Sequence, residues 1–216
     1  MKKIFLAAFA AAVALPSLAQ GGYPFNPTYA EDHNIYYGLR LGWALATVNS
    51  DDDVLDGGSA RSGLNIGAVI GFQLAPAAPV YLETGLSYTE KGGEGRVDGN
   101  KFTYDLNYIE LPILAKYKYY FTENFSLQPF VGGYLALGVG GKVKDYGTSK
   151  DDRAVYSSFS DDFFQRFDGG LRIGCGAEYQ MIYGELGYDF GLANICHSDF
   201  DTSRTGCFYL NFGVNF

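Results

Sequence analysis

Beyond residue 20 the chain has no apolar run approaching the eighteen or so residues that a membrane-spanning helix needs. Helix-forming stretches of Ala, Glu, Lys and Leu are also missing outside the N-terminus. Clustered cations are missing as well. With 16 Lys and Arg against 24 Asp and Glu, the net charge is −8, which excludes nucleic acid as a partner because phosphate recognition requires grouped Lys and Arg. Cysteine is scarce too, at three residues, and none directly follows the expected cleavage point, which excludes lipid attachment there. What the chain does have is 29 Gly, 18 Tyr and 17 Phe, a composition that favours β structure.

The N-terminus is a sorting segment. Lys2 and Lys3 precede an apolar stretch from Ile4 to Leu15, followed by Pro16 and small residues at Ser17 and Ala19. Residues 1–19 therefore read as a secretory signal peptide cleaved before Gln20. Residues 20–34 are expected to form a periplasmic N-terminal segment, and residues 35–216 the folded domain.

An exported chain without a second hydrophobic segment can be soluble, or it can cross a membrane as strands. The final residues, "GCFYLNFGVNF", distinguish these cases. Phe208, Leu210, Phe212, Val214 and Phe216 alternate with Tyr209, Asn211, Gly213 and Asn215. The same two-residue period recurs in "IYYGLRLGWALATV", "LNIGAVIGFQL", "VYLETGLSY", "YIELPILAKYKY", "FSLQPFVGGYLALGVG", "FDGGLRIGCGAEY" and "IYGELGYDFGLA", which makes eight strands. Short links ("APAAP", "FTEN" and Gln180-Met181) alternate with long polar ones at roughly 49–63, 91–102, 141–166 and 194–205. This is the anatomy of an up-and-down antiparallel barrel with short periplasmic turns and four long extracellular loops.

One row of each strand is apolar. The other carries Arg40, Glu83, Glu110, Lys116, Lys118, Arg172, Glu178, Glu185 and Asp189, and it is also the Gly-rich row. A soluble barrel would turn the charges outward. Two features turn them inward. Small residues let a narrow barrel close around long side chains, and a two-residue turn at Gln180-Met181 sets Arg172 opposite Asp189. Tyr117, Tyr119, Phe121, Phe125, Tyr179 and Phe216 crowd the short-turn end as an interfacial girdle would. The apolar row thus faces lipid, and the inward charges form a salt-bridged lumen, because isolated charges there would be costly. Eight strands leave room for little more than side chains.

The stretch Tyr108 to Tyr119, with its aromatic-Ile-Glu-Leu-Pro-Ile core, resembles the PorT-like outer-membrane β-barrel domain family of Gram-negative bacteria. The secretory signal and terminal Phe agree with that resemblance, which spans the mature chain. It implies an eight-stranded barrel in the cell outer membrane, contact with the outer-membrane assembly machinery during biogenesis, and little about activity. Pro112 and Pro129 fall inside strands, where a closed barrel has no edge to excuse a missing N–H, so a bulge or locally broken ladder is expected there.

Chemistry-bearing residues are sparse. Cys196 and Cys207 flank the fourth long link, and in an oxidising compartment a disulfide between them is expected. Their assembly with His197 into a metal site lacks a further ligand. His33 and His197 fall on opposite sides of the membrane. His197 with Ser198, Asp199 and Asp201 holds residue types suited to hydrolysis, but adjacent loop residues seldom hold the geometry. Asp51, Asp53 and Asp56 depart from the EF-hand spacing. Catalytic, cofactor and metal residues are therefore expected to be absent. Tyr156, Phe159, Phe163 and Phe164 of the third link suit either protein contact or folding back over the barrel mouth. The expected function is a structural or interaction protein of the cell surface, non-enzymatic, in contact with outer-membrane lipid, lipopolysaccharide and an envelope or extracellular protein. A small-solute channel and an accessory component of a protein-secretion system are the alternatives.

Overall fold

The computed structural model describes residues 35–50, 59–75, 78–97, 99–146, 154–159, 164–196 and 202–216. The expected signal peptide and periplasmic segment, His33, Asp51, Asp53, Asp56, Phe163, His197, Ser198, Asp199 and Asp201 lie outside them.

Eleven strands are present among the described residues: β1 (Ile35–Ser50), β2 (Arg61–Ala75), β3 (Ala78–Val97), β4 (Asn100–Tyr117), β5 (Tyr119–Thr122), β6 (Phe125–Gly140), β7 (Lys142–Tyr146), β8 (Ala154–Ser157), β9 (Phe167–Tyr179), β10 (Ile182–Gly191) and β11 (Ser203–Asn215). Eight of them close a ring. β1 pairs with β2 and β11, and β4 pairs with β6. The remaining neighbours, β2–β3–β4 and β6–β9–β10–β11, are consecutive around the barrel, and every pairing is antiparallel. The chain end closes this ring through its backbone, since Tyr37 and Phe216 exchange N–H to carbonyl bonds of 2.8 and 2.9 Å. No helix among the described residues is long and apolar enough to cross a membrane.

The period-2 row sets the two faces. Leu86, Val131 and Phe212 are 60%, 57% and 61% exposed, whereas Glu110, Lys116 and Tyr183 are at most 1% exposed. A charge on the apolar face would cost about 2–4 kcal/mol at the bilayer midplane. Inside, it is enclosed by the strands. At the short-turn end the rings of Tyr119 and Phe121 lie 4.8 Å apart, and Tyr37 stacks on Phe216 at 6.4 Å. The hairpin between β9 and β10 has the two-residue turn Gln180-Met181, with Arg172 opposite Asp189.

One expectation is corrected. The link at 91–102 is not a loop. β3 and β4 run on as a paired ribbon to Val97↔Asn100. The Gly-rich run "KGGEG" stays in the ladder because Tyr104 lies across from Gly93 and fills its missing side chain. At the strand prolines the expected locally broken ladder is present, without a bulge. Pro112 keeps its β6 partner, Tyr134. The β3 ladder skips from Thr84↔Ile113 to Ser87↔Glu110 in constant register. The absent N–H of Pro112 therefore points toward β3, and the Thr84 hydroxyl compensates by donating to the Pro112 carbonyl at 2.8 Å. Pro129 keeps Cys175 on β9, and the interruption falls at Lys118 between β4 and β5.

Beyond the rim, β7 pairs with the outer part of β4, and β8 pairs with β7. Gly141 makes the bend from β6 into β7 at a φ of 154°, and a Cβ there would run into the Asp105 carbonyl. β3, β4, β7 and β8 thus form a sheet standing above one side of the barrel.

Candidate functional site

The lumen is the most chemically dense part of the molecule. All nine inward charges named from the sequence lie inside it, in two ionic layers. In the layer near the short turns, Lys116 donates to Glu83 at 2.8 Å and to the Tyr183 hydroxyl at 2.7 Å. Tyr36 donates to Glu83 at 2.6 Å, and Tyr183 to Glu185 at 2.9 Å. Arg40 sits 3.5 Å from Glu83, with its guanidinium 3.9 Å from the Tyr183 ring centre. Lys118 pairs with Glu178 at 3.7 Å, and Asn215 donates to the same carboxylate.

In the layer near the long connections, Arg172 grips Asp189 through Nε and a terminal nitrogen at 2.6 and 2.7 Å, and reaches Glu110 at 2.7 Å. Lys91 lies 2.8 Å from Glu110 and 3.6 Å from both Asp168 and Asp189. Thr205 donates to Asp168 at 2.8 Å. Rings enclose the cations, with Lys91 4.4 Å from the Tyr134 centre and Arg172 4.9 Å from that of Tyr209. Five cations (Arg40, Lys91, Lys116, Lys118, Arg172) thus face six carboxylates (Glu83, Glu110, Asp168, Glu178, Glu185, Asp189), each in at least one ion pair.

Between the layers, Leu114, Phe130 and Tyr209 pack together as an apolar ring, each at most 4% exposed. Above the upper layer, Phe102, Tyr104, Leu106 and Tyr108 of β4 meet Phe159 and Phe164 of the third connection. Tyr104 and Phe164 lie 5.0 Å apart, Tyr108 and Phe159 5.6 Å. Of the two readings of this connection, these two side chains fold back over the mouth, while Val155 and Tyr156 of β8 stay 62% and 46% exposed.

Lys91 and Asp168 were missed by the sequence reading. Lys91 extends the inward row of Tyr81, Glu83, Ser87 and Thr89 but falls in a run that reads as a loop, whereas Asp168 shares the row of Arg172 and strand parity could have found it. The contacts of Tyr134 with Lys91, Tyr209 with Arg172 and Tyr183 with Arg40 could not be read from the sequence, because each ring reaches a cation on a strand that is not its neighbour.

The expected Cys196–Cys207 disulfide is not formed. Cys207 faces inward from β11, between Ala46 and Asp189, and packs with Ala44 and Ala46. Cys196 instead bridges to Phe164 and joins the aromatic cap. Alkylation of the unfolded protein without reductant is expected to label all three cysteines, and labelling of Cys175 alone would show the bridge.

A closed eight-stranded ring with an apolar belt outside and paired charges inside defines an integral β-barrel membrane protein. The chain belongs to the outer membrane protein beta-barrel domain family, whose model matches residues 19–197, and it resides in the outer membrane. It is similar to a major outer membrane protein from Thermus thermophilus at 13% identity, over 85% of this chain and 100% of that one, with a TM-score of 0.50. Neisserial surface protein A (15% identity, 85% and 98% covered, TM-score 0.47) and the attachment invasion locus protein Ail of Yersinia pestis (16%, 85% and 100%, 0.44) are also similar. No curated protein matches the chain.

Proposed function

We propose that this is a non-conducting, non-enzymatic barrel that works as a structural or interaction protein of the cell surface, through what it presents beyond the loop-bearing rim. The observation carrying this reading is that buried, mutually engaged side chains occupy the lumen at four successive heights: two ionic layers, the Leu114–Phe130–Tyr209 cluster and the aromatic cap. The lumen charges are engaged with one another, which leaves them unsuited to passing ions or attacking a substrate. The raised sheet with Val155 and Tyr156 exposed offers a surface for an envelope or extracellular protein. The Tyr108–Tyr119 resemblance supports a PorT-like branch within the family and by itself assigns the chain to no secretion system.

Conductance in planar lipid bilayers tests the reading. The mature protein is expected to give no steady conductance. The double variant Arg172→Ala with Asp189→Ala is expected to stay silent too, because the lower layer and the apolar ring remain. Steady wild-type current altered by that variant would overturn the proposal and make the charged row a selectivity lining.

A further inference from the structure

A groove of about 430 Å³ opens outward where β10, β11 and β1 meet the loop-bearing rim. It exists because the ladder parts there. β10 and β11 pair up to Phe190↔Gly206, and the next backbone bond between the two segments is Ile195 N–H to Ser203 carbonyl at 3.0 Å. Between these points the chain after β10 leans the other way, and the amides of Leu192 and Ala193 donate to Gly169 at 2.9 and 3.1 Å. The stretch of β11 around Arg204 is left with a strand on its β1 side only.

The groove is graded along the membrane normal. Thr47, Gly206 and Phe190 stand side by side, at the height where the lipid-facing row turns from apolar to polar. Below them is Tyr188, whose ring is 4.6 Å from that of Phe190. One pleat higher, roughly 7 Å, Asn49 faces Arg204. Both are exposed, as is Thr202 beside them, and Leu192 closes the apolar wall. Among the described residues Arg204 has no ion-pair partner, like Arg96 and Lys142 of the raised sheet and unlike Arg61, Lys101 and Lys144, and it is the unpaired cation that lines the groove. An unpaired guanidinium set one pleat above an aromatic and aliphatic wall matches an amphiphile with an anionic head and hydrocarbon tails.

We propose that this groove binds the phosphorylated lipid A moiety of lipopolysaccharide, with Arg204 on a phosphate, Asn49 and Thr202 on neighbouring oxygens, and an acyl chain against Phe190 and Leu192. Lipopolysaccharide is favoured over a phospholipid because the rim with long connections faces outside, where that lipid forms the leaflet. A guanidinium suits the task because it offers a phosphate two parallel donors. This site is independent of whether the lumen conducts.

The test is retention of defined lipids by the mature protein in detergent micelles, read by native mass spectrometry. Wild type is expected to hold diphosphorylated lipid A more tightly than dephosphorylated lipid A or phosphatidylglycerol. Arg204→Ala is expected to lose about tenfold in affinity for the phosphorylated form alone. Arg204→Lys should fall between the two, and Arg96→Ala, on the exposed ribbon, should match wild type. The comparison of lipids on the wild type needs no variant, so it stands even if a substitution impairs folding. Equal retention of phosphorylated and dephosphorylated lipid A would overturn the proposal. Equal retention of phosphatidylglycerol would overturn the assignment to lipopolysaccharide, and unchanged binding by Arg204→Ala would remove Arg204 from the site.

Discussion

Arg172→Ala is expected to lower the barrel's unfolding free energy by about 3–5 kcal/mol, measured by urea titration in micelles. Arg172 holds Asp189 with two bonds and Glu110 with a third. Its removal leaves Lys91 as the sole cation against Glu110, Asp168 and Asp189 in that layer, and water cannot enter readily past the aromatic cap to replace it. The mate variant separates lost attraction from stranded charge. Arg172→Ala with Asp189→Ala removes one charge of each sign, so it is expected to be less destabilised than Arg172→Ala alone. If the double variant unfolds more easily than the single one, the upper layer is not limited by uncompensated charge. A loss under 1 kcal/mol for Arg172→Ala would mean that the lumen is hydrated.

Strand parity is a local property, which is why the eight spans and both faces were legible. Each of Leu210, Phe212 and Val214 announces its side by its neighbours alone, and so does each inward charge. The opposition of Arg172 and Asp189 was legible because a two-residue turn fixes register over the whole hairpin. What escaped depends on residues far apart in sequence. Lys91 was hidden by "KGGEG", which reads as a loop unless one knows that Tyr104 lies across from Gly93. The upper layer draws Lys91, Glu110, Asp168 and Asp189 from β3, β4, β9 and β10, and no period in the chain links them. The cysteines misled for a related reason. Flanking one connection made Cys196 and Cys207 look like partners, yet the inward row takes Cys207 into the barrel wall while Cys196 follows Phe164 into the cap. The groove at Arg204 was equally hidden, since its breach comes from the chain after β10 turning toward Gly169.

Gly187→Val is expected to prevent the barrel from closing, and Gly184→Ala, three residues earlier on the same strand, is expected to change stability by less than about 0.5 kcal/mol. The difference is a matter of side. Gly187 faces the lumen opposite Tyr209, and the phenol ring lies flat over it, so that a Cβ would fall within the ring's own atoms. Tyr36 over Gly71 and Phe130 over Gly174 repeat the arrangement, each a ring folded onto a glycine of the neighbouring strand. The glycines of the charged row thus make room for the rings that sheathe the lumen cations. Displacing Tyr209 would break the apolar ring with Leu114 and Phe130 and strip the aromatic face from Arg172. Gly184 faces lipid, where an added methyl meets the Phe212 ring at 3.6 Å and the Asn211 carbonyl at 3.9 Å, both ordinary contacts. Refolding into micelles, followed by gel migration with and without heating, reads the outcome: Gly184→Ala should show the folded, heat-shifted band, and Gly187→Val only the unfolded one. A normal folded band for Gly187→Val would mean that Tyr209 can leave its place freely, and the ring between the two ionic layers would then be a movable gate rather than a fixed wall.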